Sequence, residues 1–170
     1  MIVRTALETD AKSIAELHTK SWRIAYKDVL SQKYLAEEID RDRLTIWTDR
    51  LSSRPANQII LVAEQGQSFL GFACVYLDHD AEWGALLDNL HVQPELKGNG
   101  IGTTLMYKVV RVCENQSSLH LWVLECNVSA QGFYKKLGAV HSGTGVWNQP
   151  GGGAANKFLY TWKAPIVLAG

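Results

Sequence analysis

The sequence predicts an α/β (α+β) fold on a mixed sheet of about six to seven strands with flanking helices, and three observations carry that reading. Residues 59–77 alternate like a strand pair around Gln65-Gly66-Gln67, which makes an antiparallel hairpin. Residues 85–126 read as strand, glycine loop, helix, strand, the pattern of a right-handed crossover between parallel strands. Two more strand-like stretches, near 140–147 and 157–163, close the chain around Gly151-Gly152-Gly153.

Taken in order, Ile2 to Ala6 form a short strand. Thr9 and Asp10 then offer caps to a helix whose stripe is Ile14, Leu17, His18, Ser21, Trp22 and Ala25. A second helix is expected over about 31–52, with Tyr34, Leu35, Ile39, Leu44, Ile46, Trp47 and Leu51, ended by Arg54-Pro55-Ala56-Asn57. In the strand that stops at Pro94, strict alternation puts Leu86, Asp88, Leu90 and Val92 on one face and Leu87, Asn89 and His91 on the other. The helix after the glycine loop has the stripe Ile101, Leu105, Met106, Val109, Val110 and Cys113. A short helix from Asn127 to Leu137 ends at Gly138.

A chain of 170 residues without repeats or linkers suits one domain, here 1–170. Lys and Arg number 17, as do Asp and Glu, so binding to nucleic acid or a membrane surface by bulk charge is not expected. Arg4, Glu8 and Asp10 interrupt the apolar run a secretory signal needs, and no stretch reaches the ~18 apolar residues of a membrane span, so a cytoplasmic protein is expected. Cys74, Cys113 and Cys126 form no CxxC pair and lie far apart, which argues for buried thiols rather than a disulfide framework, and no metal site is expected.

The chemistry concentrates in Lys97-Gly98-Asn99-Gly100-Ile101-Gly102, followed by Thr103 at the start of a helix. Glycines there free backbone N–H groups to converge on an anion together with the helix N-terminus. The P-loop pattern is absent, because no Lys-Ser/Thr pair follows. A dinucleotide loop needs different glycine spacing, although Glu125 stands where a ribose-binding acid would, so a nicotinamide-dependent oxidoreductase stays open at this point.

The line Leu90-x-Val92-x-Pro94-x-x-Lys97-Gly98-x-Gly100-Ile101-Gly102-x-x-Leu105 resembles the coenzyme A loop of the GCN5-related N-acetyltransferases (GNAT), with Lys97 for the commoner Arg or Gln. Asn127-x-x-Ala130-x-x-Phe133-Tyr134-x-x-Leu137-Gly138-Ala139 resembles a second segment of that family, with Ala139 in place of an aromatic. Trp22-Arg23-x-Ala25-Tyr26 and Tyr34-Leu35 are similar to one branch of it. The resemblance implies a sheet splayed between the fourth and fifth strands and acetyl-coenzyme A as donor substrate. It also implies direct attack by a primary amine of a small molecule or peptide, and a homodimer in some relatives. It further implies coenzyme contacts from Leu90, His91 and Val92, from Lys97, Gly98, Asn99, Gly100, Ile101, Gly102 and Thr103, and from Asn127, which is also a good N-cap. Tyr134 then protonates the departing thiolate; a phenol of pKa about 10 is close enough to a thiol of about 8.5. For the general base, Asp88 leads, with His91 behind it on its unperturbed pKa. Trp22 and Tyr26 fall on the helix that walls the acceptor site. A coenzyme A-binding regulatory domain without catalysis is the alternative.

Overall fold

The computed structural model describes residues 1–164 and 166–169. The elements run β1 (Ile2–Thr5), α1 (Ala11–Ala25), a π turn (Tyr34–Glu38) leading into α2 (Ile39–Ser52), β2 (Gln58–Gln65), β3 (Ser68–Asp80) and β4 (Gly84–Val92). They continue with α3 (Ile101–Val112), β5 (Ser118–Leu124), α4 (Val128–Lys136), β6 (Val140–Asn148) and β7 (Ala154–Lys163). Seven strands form one sheet in the order β1-β2-β3-β4-β5-β7-β6. All neighbours are antiparallel except β4 and β5. The parallel pair is joined through α3, as the strand–loop–helix–strand pattern requires.

Each face of the sheet buries a separate core. On one side the stripe Ile101, Leu105, Met106, Val109 and Cys113 of α3 meets Leu119 and Leu121 of β5 and Tyr160 and Trp162 of β7. The short helix α4 adds Tyr134 and Leu137 to the same core. On the other side Ile14 and Leu17 of α1 and Trp47 of α2 pack on Ile60, Val62, Phe72 and Cys74. Inside that second core the Trp47 indole N–H donates to His18 Nδ1 at 2.9 Å, while His18 Nε2 is buried with no hydrogen-bond partner among the described residues.

Several local expectations change. Asp10 does not cap α1; it accepts from Arg4 Nη1 at 2.7 Å and from the Leu7 N–H at 2.7 Å, tying β1 to the turn before the helix. The helix expected over 31–52 contains a π turn that tucks Tyr34, Leu35 and Ile39 inward as a third apolar cluster, against Trp22, Tyr26 and Trp147. Cys74 and Cys113 are buried, whereas Cys126 is exposed. Most consequential is β4. Its pairing with β3 steps from Cys74–Asn89 to Val75–Leu87, leaving Asp88 as an extra, bulged residue. The bulge breaks the strict alternation. Leu87 joins Leu90 and Val92 on the α3 side, while Asn89 and His91 turn to the α1 side, where His91 stacks on Phe72 at 5.2 Å.

Candidate active site

The bulge matters because β4 and β5 pair at only two positions, Ala85 with Leu119 and Leu86 with His120. Beyond them the strands part, although β4 continues to Val92 and β5 to Leu124. The gap opens into a cleft of about 1060 Å³ that runs through the sheet layer from α3 and α4 to α1 and α2.

One wall of the cleft is mostly main chain. Gly98 and Gly100 hold left-handed φ values of 85° and 77°, which turn the chain into α3 with Gly100 as its cap. The first intrahelical bond runs from the Thr104 N–H to the Gly100 carbonyl at 2.9 Å. The N–H groups of Ile101, Gly102 and Thr103 therefore stand ahead of the helical ladder, at the positive end of the helix and beside the exposed Lys97. Leu90, His91, Val92, Lys97, Gly98, Gly100, Ile101, Gly102, Thr103 and Asn127 all line the cleft. Asn99 does not; its side-chain amide donates back to the Leu96 carbonyl at 3.1 Å and stiffens the loop.

At the floor, Asn127 Oδ1 accepts the Ala130 N–H at 3.2 Å and starts α4, which presents Tyr134 to the cleft. Tyr134 is 8% exposed, and its ring meets Trp162 edge-on at 6.2 Å. Burial and the neighbouring Tyr26 push its phenol well above the usual tyrosine range.

The other wall is built from side chains. Trp22, Tyr26 and Trp147 meet edge to face, with the Trp22 ring 5.7 Å from Tyr26 and 5.6 Å from Trp147. The Arg43 guanidinium lies 4.4 Å over the Trp22 ring. Asp88 is not a free carboxylate. Arg50 Nη1 donates to it at 2.7 Å and Asn89 Nδ2 at 2.5 Å. Burial, with Lys97 nearby, pushes the second candidate base, His91, down to about 3, which makes its neutral ring a weak base towards an alkylamine.

Arg43, Arg50, His18 and Trp147 line the same cleft and were not anticipated. A signal existed for two of them. Ile39, Arg43, Trp47 and Arg50 recur at four-, four- and three-residue steps, so both arginines share the inward face of α2 with Ile39 and Trp47, which are fully buried. Arg43, although set among Glu37, Glu38, Asp40, Arg41 and Asp42 in the sequence, is only 8% exposed.

This architecture recurs in solved structures. A GCN5-related N-acetyltransferase from Rhodopseudomonas palustris superposes with TM-score 0.73 at 21% identity, covering 95% of this chain and 94% of that one. The PaiA N-acetyltransferase of Thermoplasma acidophilum, solved with coenzyme A, gives TM-score 0.67 at 20% identity, covering 95% and 98%. In sequence, the thialysine N-epsilon-acetyltransferase of Bos taurus is 27% identical over 151 residues, 82% of this chain and 84% of the relative. The description of the acetyltransferase (GNAT) family matches residues 11–139, from the start of α1 to the residue before β6. The chain belongs to that family, and it is an acetyl-coenzyme A-dependent acyltransferase.

Proposed function

We propose that the cleft transfers an acetyl group from acetyl-coenzyme A to the primary amine of a small molecule. The observation that carries this is the continuity of the cleft: the N-terminus of α3, the parted strands β4 and β5, and Tyr134 lie along one wall, while the aromatic and charged wall faces them. The N–H groups of residues 98–103 and the Lys97 ammonium suit a pyrophosphate. Where β4 leaves β5, the backbone of Leu90, His91 and Val92 suits the amides of the pantetheine arm, and Asn127 borders the same channel. The Bos taurus relative is named for a small-molecule acceptor, which supports a small amine.

The chemistry follows from the groups present. The acceptor amine loses a proton, its nitrogen attacks the thioester carbonyl, and the C–S bond breaks as the tetrahedral intermediate collapses. Asp88, which pairs with Arg50, attracts the ammonium and passes its proton towards solvent. Burial keeps the Tyr134 phenol protonated, so it meets the developing thiolate as a hydrogen-bond donor. The proton that reaches sulfur is replaced on the tyrosine from solvent.

The test is thiol release from acetyl-coenzyme A with a panel of amines, the product identified by mass spectrometry. Acetylated amine formed by the wild type and strongly reduced in Tyr134→Phe supports the reading. Acetyl-coenzyme A binding with no turnover of any amine selects the regulatory alternative.

A further inference from the structure

We infer that the acceptor amine carries its own carboxylate, as an amino acid does, and that Arg43 receives it. The inference rests on the acetyl-transfer reading and narrows its substrate class. Residues lining the cleft include five cations, Arg43, Arg50, Lys97, Lys136 and Lys157, against a single carboxylate, Asp88. Lys97 belongs to the anion-binding loop. Arg50 is engaged by Asp88. A polyamine entering the wall of Trp22, Tyr26 and Trp147 would thus meet Arg43 with no free acid in return.

Arg43 is ion-paired with Asp42 through a single nitrogen, which leaves its other two without a partner among the described residues. Its Nη2 donates to Asp42 Oδ2 at 2.8 Å, and that same carboxylate oxygen also accepts the Tyr34 hydroxyl, which the π turn places there. Its Nε is buried and has no hydrogen-bond partner. Nη1 makes no hydrogen bond to any described residue, in a side chain 10% exposed. A buried guanidinium that uses one of its three nitrogens is costly unless a further anion completes it. An incoming carboxylate can accept a charge-assisted N–H bond from the unbonded Nη1. Stacking on Trp22 fixes the plane of the guanidinium at the cleft wall. The aromatic wall beside it suits the aliphatic chain of an amino acid lying between Arg43 and the amine-attracting Asp88.

Matched pairs of acceptors test this without any mutation: lysine against cadaverine, ornithine against putrescine, and 6-aminohexanoate against hexylamine differ mainly in the carboxylate. The wild type is expected to favour the carboxylate member of at least one pair by tenfold or more in kcat/KM, mostly through KM. Arg43→Gln and Arg43→Lys are expected to lower kcat/KM for the carboxylate member at least tenfold more than for its carboxylate-free partner, so that the preference is erased. Equal or better turnover of the carboxylate-free members overturns the inference, as does a uniform loss across both members in a folded variant. Should no pair turn over, binding to the coenzyme A-bound protein is followed by Trp fluorescence; carboxylate members that bind no better than their partners overturn it too. Failure of acetyl-coenzyme A itself to bind would instead sink the acetyl-transfer reading.

Discussion

The two walls of the cleft are made in different ways. The wall proposed for the donor is largely backbone: left-handed glycines, the free N–H groups of one helix end and the parted edge of β4, most of it from the continuous segment 90–103. The wall proposed for the acceptor is side chain, gathered from α1, α2, the β4 bulge and the end of β6. Main-chain groups cannot be mutated away one by one, so a fold can keep a donor site while its sequence drifts. Side chains drawn from four elements change singly, which lets one scaffold serve different acceptors.

Four perturbations separate the walls, the first expected to be the largest. Replacing Gly100 and Gly102 together by Val strikes the donor wall. A β-branched residue at the Gly100 φ of 77° is strained, and a Cβ at Gly102 would stand 3.3 Å from the Phe133 ring. Acetyl-coenzyme A affinity should fall at least 100-fold by calorimetry with an unchanged far-UV CD spectrum; an unchanged affinity would detach the loop from the donor. Tyr134→Phe should lower kcat by about 100-fold, within the range usual for a proton donor, while donor affinity stays within about threefold. Asp88→Asn should lower kcat/KM for the amine about tenfold and spare donor binding, marking the acceptor wall alone; a loss of donor affinity would contradict that division.

The smallest effect concerns stability. His91 titrates near 3 in the folded chain against an unfolded value of about 6.5, so the unfolded chain binds more protons between those values. Its contribution is fully present above pH ~6.5 and is lost as pH falls towards 3. His18, held low by burial beside His91, acts in the same direction. Melting temperature should therefore drop from pH 7 to pH 4, and His91→Gln should shallow that slope without removing it. An identical slope in the variant would mean that burial does not disfavour the charged ring.

The glycine-loop wall of the cleft was legible because its information is local. Gly98, Gly100 and Gly102 sit within one turn of chain, Asn127 to Tyr134 within one helix, and the parallel pair follows from a single crossover pattern, whereas the place of β7 between β5 and β6 does not. What escaped depends on contacts between distant segments. Strict alternation in β4 failed because a bulge is set by pairing with β3, which the strand's own pattern does not encode. Arg43 and Arg50 resembled exposed helix charges until α2 packed on α1 and the β4 bulge brought Asp88 to Arg50. Trp147 reached Trp22 only because the strand β6 returns across the cleft.

The central claim is that the wall formed by residues 97–103 and the parted β4 holds acetyl-coenzyme A. The most direct measurement is calorimetric titration of the wild-type chain with acetyl-coenzyme A, with NAD as the control ligand. Saturable binding of acetyl-coenzyme A at one site per chain, with no heat from NAD, is the predicted result. No binding of acetyl-coenzyme A, or tighter binding of NAD, would contradict it.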